Sequence, residues 1–435
     1  MTTRDTARST IESVRESLIS LSHFVHEHPE TNYEELLTSA AVADAVERAG
    51  FQVERNAGGL PTAFKATKGT GSLHVVFCAE YDALPDVGHA CGHNIIAASS
   101  VGAAIGLASV ADDLDLRVTL LGTPAEEGGG GKIDLIRAGY FKDEHVAMMI
   151  HPWPTERLAA TCLAVDAITV TYTGKEAHAS AAPWEGTNAL DALNVAQVAI
   201  GFMRQQLRPG DQVHGHVLHS GSAANIIPSS ASADFMIRSL SNESLDALRA
   251  RVIACFEAGA LATGAKLEIT NKFQRFSHMV SHDGVLAHYR EAAEALGRSF
   301  ELDDQGTALP TISTDMANVS LEVPSIHPLL MIPTNGAVNH QPEFTAACKT
   351  PAADNAVLDG AIALAWTAIG VAEDSALRQE LTKRLPSTFS STSRPAKSPL
   401  LRRASLGPLR LSLLPLGATE RKPESSTRTQ MSICC

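Results

Sequence analysis

The residues best equipped for chemistry gather in a few short stretches. Asp86-Val-Gly-His89-Ala-Cys91-Gly-His93-Asn94 follows a segment ending in Glu80-Tyr-Asp82-Ala-Leu-Pro. Glu126 and Glu127 are adjacent, His151 closes an apolar run, and Asn339-His340-Gln-Pro-Glu lies far downstream. Imidazole, thiolate and carboxylate together form the donor set of a divalent-metal site. Two metals about 3.5–4 Å apart can share a bridging ligand and a water. A carboxylate beside that water is then placed to act as general base. Paired glutamates suit the division, one ligating while its neighbour faces the water. Taken singly, the Cys-x-His pair reads as structural, the Glu-Glu pair as solvated surface and the His-Pro pair as a turn. Their ordered recurrence after successive apolar runs joins them into one site. Two readings compete: a cysteine hydrolase using Cys91 with His89 or His93, and a non-catalytic binding protein. The run Gly128–Gly131 with Lys132 lacks the Gly-x4-Gly-Lys-Ser/Thr pattern of a phosphate loop. It is read as a flexible turn that lets the backbone pass close to the site.

The surrounding pattern says what must position these groups. Residues 5–28 and 34–49 carry apolar side chains at helical spacing. Leu73–Ala79, Arg117–Gly122 and Val146–Ile150 are apolar runs suited to buried strands, and Gly92–Val110 is a small-residue helix. This alternation predicts an α/β sheet covered on both faces, with functional groups at the carboxyl ends of its strands. Near Val165 the texture changes to a half-exposed strand. A helix over Asn188–Gln206, strands near Gln212–His219 and Ala231–Arg238, a helix over Asn242–Ala262 and a strand over Lys266–Lys272 follow. That βαββαβ order predicts a two-layer unit inserted into the larger domain. Helices near Asp283–Leu296 and Asn355–Val371 complete the larger domain.

The chain has 435 residues, 44 % of them apolar and 19 % charged, which supports a sizeable core. Its net charge is −13, which argues against a nucleic-acid partner. Seven scattered cysteines do not make a disulfide scaffold. The apolar runs read as too short and broken for a membrane span, and the polar N-terminus does not read as a signal peptide. These features predict a cytoplasmic protein with no membrane partner. Residues 386–435 carry eight Lys and Arg against two Glu, so residues 1–385 carry −19. The tail is rich in Ser and Pro and reads as disordered or as an atypical end.

The order of motifs resembles the aminoacylase and carboxypeptidase-G type of metallopeptidases, within them the amidohydrolase branch of aminobenzoyl-glutamate hydrolases and β-alanyl-lysine-type dipeptidases. The resemblance runs over about residues 10–375. It rests on His26-Glu-His28-Pro-Glu30, Ala79–Pro85, Gly88–Asn94, Gly122–Gly128, Gly174-x3-His178, Asn225-Ile-Ile-Pro228, Ser313-Thr-Asp-Met316 and Asn339-His340. It implies a catalytic domain with a mixed sheet flanked by helices, split into residues 1–164 and 276–385. An α+β lid over 165–275 would also dimerise. It implies two divalent ions per subunit, zinc or manganese, with Cys91 as bridging ligand and His93, Glu127, His151 and His340 as terminal ligands. Glu126 would be the general base and later the proton donor to the leaving amine. Glu80, Asp82 and Asp315 would support the site from behind. His178 would stabilise the oxyanion from the partner subunit, and Asn225 and Arg238 would grip the substrate. Trp153 and Trp184 are candidates to line an acyl or aromatic pocket. The implied activity is hydrolysis of the amide bond of N-acyl amino acids, dipeptides or aminobenzoyl-glutamate, with an aromatic or xenobiotic amide as the alternative substrate. Many members of the branch have Asp where this chain has Asn94.

Overall fold

The computed structural model describes residues 1–383; the tail expected from 386 onward lies outside them. The expected strand Leu73–Ala79 is present with those bounds. It lies parallel to Leu116–Gly122 on one side and Val146–Met148 on the other. Its residues are buried on nearly every position, because side chains on both faces meet helices. The sheet has six strands: Gln52–Arg55, Phe64–Lys68, Leu116–Gly122, Leu73–Ala79, Val146–Met148 and Ser325–Ile326, in that spatial order. The first two pair antiparallel, so the sheet is mixed. They were not foreseen individually, because QVER and FKATK are short and polar enough to read as loop. A further parallel pair, His151–Trp153 with Leu329–Met331, carries the chain past the sheet's last strands.

The helix His93–Ala108 packs against the central strands, and Pro351–Glu373 packs against that helix. Small residues on His93–Ala108 let the helices approach closely. A methyl group at Gly102 would lie 2.7 Å from Ala361 Cβ and 2.9 Å from Leu18 Cδ1. One expectation needs correcting here. Pro351–Glu373 is a helix long and apolar enough to cross a membrane by length and composition, although the sequence pattern suggested no such run. Alanine gives it that composition, and it serves as a core helix, with 89 % of its most apolar window buried. The first predicted helix is broken at Val14 into Thr3–Ser13 and Arg15–Glu27.

The inserted unit follows the βαββαβ order. Its antiparallel sheet runs Lys266–Asn271, Ala164–Thr173, Ser230–Ser239, Gln212–His219. The helices Ala189–Met203 and Asn242–Thr263 pack on this sheet around a separate core that includes Ile168, Tyr172, Leu193, Phe235 and Phe256. Outgoing and returning chain meet where Val165 and Phe276 exchange backbone hydrogen bonds of 2.9 and 3.2 Å. Replacing Gly102 by Val forces the helices apart. We expect a cost of about 1–3 kcal/mol, read as a lower Tm in thermal unfolding; an unchanged Tm would contradict this packing.

Candidate metal centre

The functional side chains leave the sheet at the carboxyl ends of its parallel strands. Leu73–Ala79 delivers Glu80 and Asp82. Leu116–Gly122 delivers Glu126 and Glu127, Val146–Met148 delivers His151, and Ser325–Ile326 delivers His327. His93 is the first residue of its helix, and Gly92 before it holds a left-handed backbone with φ +73°. A side chain there would be strained and would press on Pro152, so glycine is required between Cys91 and His93. His340 comes from a distant loop, its amide donating to the Ala90 carbonyl at 3.0 Å.

These groups converge. Donor atoms of Cys91, His93 and His151 lie within 4.8 Å of one another, and so do those of Cys91, Glu127 and His340. The five residues expected to ligate metal thus form two triads with Cys91 in common. Glu126 shares a third such group with His93 and Glu127. His93 Nδ1 lies 2.8 Å from the Asp82 carbonyl and 3.1 Å from its Oδ1. That contact places a proton on Nδ1 and leaves Nε2 facing the carboxylates, where a bound cation would take the place of a second proton. His151 Nδ1 is likewise 2.8 Å from the Pro152 carbonyl. His93 Nε2 and Glu127 Oε1 are buried without a hydrogen-bond partner among the described residues. Orphaned buried atoms among thiol, imidazole and carboxylate are what bound divalent ions would satisfy, so the residues fit a metal centre.

The electrostatics agree. Burial, then Glu80 and Glu127, push the Glu126 carboxyl well above its usual range. Burial opposes charge on His93, but Asp82 and Glu80 outweigh it and hold it well above its ordinary value. Burial and the nearby Glu127 raise the Cys91 thiol. A nucleophilic cysteine needs electropositive surroundings, and Cys91 sits among carboxylates, which disfavours the cysteine-hydrolase reading.

Behind the triads lies a group that the sequence pattern presented as a turn. Lys132 is fully buried, with Nζ 2.6 Å from Glu80 Oε1 and 2.7 Å from Asp315 Oδ1. Its backbone amide also donates to Asp315 Oδ2 at 3.0 Å. The glycine run before it is packed rather than flexible. The Gly129 and Gly130 amides both bond back to the Ala125 carbonyl, at 3.0 and 2.7 Å. Gly131 then starts a helix ending at Arg137. Ala125 itself has φ +58° and is held by Glu35, whose Oε1 accepts its amide at 2.8 Å. Burial and the nearby Asp82 raise the Glu35 carboxyl to about 7. His327 is buried with both ring nitrogens unpartnered, its ring centroid 5.5 Å from that of His151. Glu35 and His327 went unnoticed because a lone Glu or His carries no spacing signal, and Lys132 read only as the end of a glycine turn.

A cleft of about 600 Å³ opens above the centre. Cys91, Glu126, Glu127, His151 and His340 line it, together with Trp153, Phe273, Phe276 and Arg238. Arg238 donates to Ser313 Oγ at 2.7 Å, and burial alone lowers its basicity. His178 and Asn225 are not among the cleft-lining residues. They are exposed neighbours on the lid, where the Ala179 amide donates to the Asn225 carbonyl at 3.0 Å. Trp184 is 76 % exposed and also lies outside this cleft, so it does not line an acyl pocket in its own chain.

A mixed sheet with a metal-binding donor set at its strand ends and an inserted antiparallel domain defines a metallopeptidase-type hydrolase. The chain belongs to peptidase family M20/M25/M40, whose pattern matches residues 76–355. It is an enzyme that hydrolyses C–N bonds. It is 39 % identical over 392 residues to the Xaa-Arg dipeptidase of Mus musculus, covering 87 % of this chain and 90 % of that one. It is 30 % identical over 279 residues to a p-aminobenzoyl-glutamate hydrolase polypeptide of Escherichia coli, covering 59 % of this chain and 58 % of the other. A dinuclear metal-binding peptidase from Bacillus subtilis shares the fold at a TM-score of 0.58 and 20 % identity, over 80 % of this chain and 98 % of that one.

Replacing Asp82 by Asn frees the His93 ring. Metal affinity of the stripped protein should fall about 10–100-fold in a metal titration; an unchanged affinity would remove Asp82 from this role.

Proposed function

We propose that this chain is a dimetal amide hydrolase acting on dipeptides or N-acyl amino acids with a free carboxylate. The observation that carries this reading is Cys91's place in both donor triads, with Glu126 beside them and Arg238 facing the same cleft. Cys91, His93, Glu127, His151 and His340 would hold the zinc or manganese ions, with Cys91 common to both donor groups. Thiolate and imidazole favour zinc by softness. When bound, such ions would supply Lewis acidity and lower the pKa of the attacking water. Glu126 takes that water's proton and later gives it to the leaving amine nitrogen. Glu80, Asp82 and Asp315 hold these groups in place from below.

Arg238 has no carboxylate partner among its contacts, and its forked donors suit the carboxylate of the substrate. Trp153, Phe273 and Phe276 give the cleft an apolar wall for a side chain or acyl group. The mouse relative's name, Xaa-Arg dipeptidase, and its 39 % identity over nearly the whole chain favour a dipeptide. The Escherichia coli relative keeps an aminobenzoyl-glutamate-like substrate as the second reading.

We further assign the lid to dimerisation. Val195, Val198 and Phe202 form an exposed apolar stripe on the helix Ala189–Met203, 38 %, 58 % and 69 % exposed. The strand Gln212–His219 is the last of the lid sheet, with no further strand paired to it among the described residues. A second copy would cover both. His178 and Asn225 would then act in the partner's cleft, with His178 stabilising the oxyanion.

Glu126→Gln should keep its metal and lose about 10²–10⁴-fold in kcat, measured on a panel of dipeptides and N-acyl amino acids with added zinc or manganese. Near-normal turnover would reject Glu126 as the base. Mixing inactive Glu126→Gln with inactive His178→Ala chains should restore activity, because mixed dimers contain one intact site. A mixture that stays inactive despite subunit exchange would place His178 outside the partner's site. Arg238→Ala should raise KM for free-carboxylate substrates and leave KM for their C-terminal amides little changed; an equal effect on both would move Arg238 out of carboxylate recognition.

A further inference from the structure

Glu80, Glu126 and Asp315 bring carboxylate oxygens within 4.8 Å of one another, all buried. Three carboxylates at that spacing form the ligand set of a hard divalent cation. In this chain an ammonium takes the position. Lys132 Nζ reaches Glu80 at 2.6 Å and Asp315 at 2.7 Å, with none of the three side chains exposed. Lys132 lies in the first turn of the helix Gly131–Arg137, and its backbone amide is fixed on Asp315 as well. The nitrogen is therefore held at both its side-chain and its main-chain end.

We propose that Lys132 is a resident cation that fills this carboxylate cluster and keeps a third metal ion away from Glu126. The inference rests on the reading of Glu126 as general base. Charge accounts for the need. Glu80, Asp82, Glu126, Glu127 and Asp315 are crowded into one buried floor. Isolated buried carboxylates are costly, so each must be paired, protonated or bound to metal. Ions held by the Cys91 triads would neutralise one side of the floor. The other side, toward Glu80 and Asp315, would attract a further divalent ion. An ion there would bind Glu126 and block it as a base. A lysine nitrogen supplies positive charge without a Lewis-acidic centre or an open ligand position. Lys132 is thus a positioning residue: it acts on Glu126 through the charge and placement of Glu80 and Asp315.

The test is a metal count on full-length protein, by mass spectrometry after equilibrium dialysis against manganese, for the natural chain and Lys132→Met. The variant should carry one more manganese per chain than the natural protein. Its kcat at saturating manganese should fall about 100-fold with KM nearly unchanged. Lys132→Gln keeps hydrogen-bond donors without charge and should also gain the extra ion. A purely structural hydrogen-bonding role would leave its count unchanged. Should Lys132→Met not accumulate folded, Lys132→Gln carries the test. An equal metal count in variant and natural protein overturns the inference. Failure of the general-base reading is seen separately, as an active Glu126→Gln protein, and leaves the difference in metal count to judge the role of Lys132 as resident cation.

Discussion

Buried like charge is the constraint on which this molecule depends. Glu80, Asp82, Glu126 and Asp315 are buried close to one another, with Glu127 beside them at the cleft floor, where water screens them little. No arrangement of apolar side chains offsets that repulsion. It is offset by Lys132, by the imidazole of His93 and by the cations that the thiol and imidazole donors are suited to bind. The rigid parallel strands explain why the cluster can be assembled at all. Each strand end presents its carboxylate or imidazole at a position fixed by the ladder beside it. The helices then seal the floor. Gly92 and Gly102 serve the same end at different depths, one by turning the chain into its helix, the other by letting helices close over it.

The lid answers a different need. The centre supplies reactive groups but little that could recognise a substrate. The rest of the cleft wall comes from Met236 and Arg238 on a lid strand, and from Phe273 and Phe276 on the returning chain. Arg238 also bonds to Ser313 of the catalytic domain, so the cleft is a seam between the two units. The paired backbone of Val165 and Phe276 marks where the chain leaves the larger domain and returns to it.

Much of this was legible in the sequence because it is periodic or ordered. Leu73–Ala79 reads as a buried strand since its apolar run has no polar face. The inserted unit reads correctly since its strands and helices alternate at regular spacing. The ligand set reads because its members recur after successive strands. What stayed hidden was defined by contacts between distant positions. Nothing in Gly-Gly-Gly-Gly-Lys says that the lysine is buried, since its partners stand at positions 80 and 315. His327 and Glu35 follow the same logic. The short polar strands Gln52–Arg55 and Phe64–Lys68 were hidden for another reason: they borrow their conformation from the neighbours with which they pair.

The bond between Lys132 and Asp315 spans 183 residues of chain. Between them lies the entire lid. The floor of the centre therefore cannot be completed by the first half of the protein alone, however well its strands are formed. A chain emerging from synthesis holds Glu80, Glu126 and Lys132 together well before Asp315 is available. Closing so long a loop costs entropy before any electrostatic gain is returned. The order of the gene product thus imposes an order on maturation: the lid must be made, and the chain must come back from it, before the pocket of carboxylates can be shut.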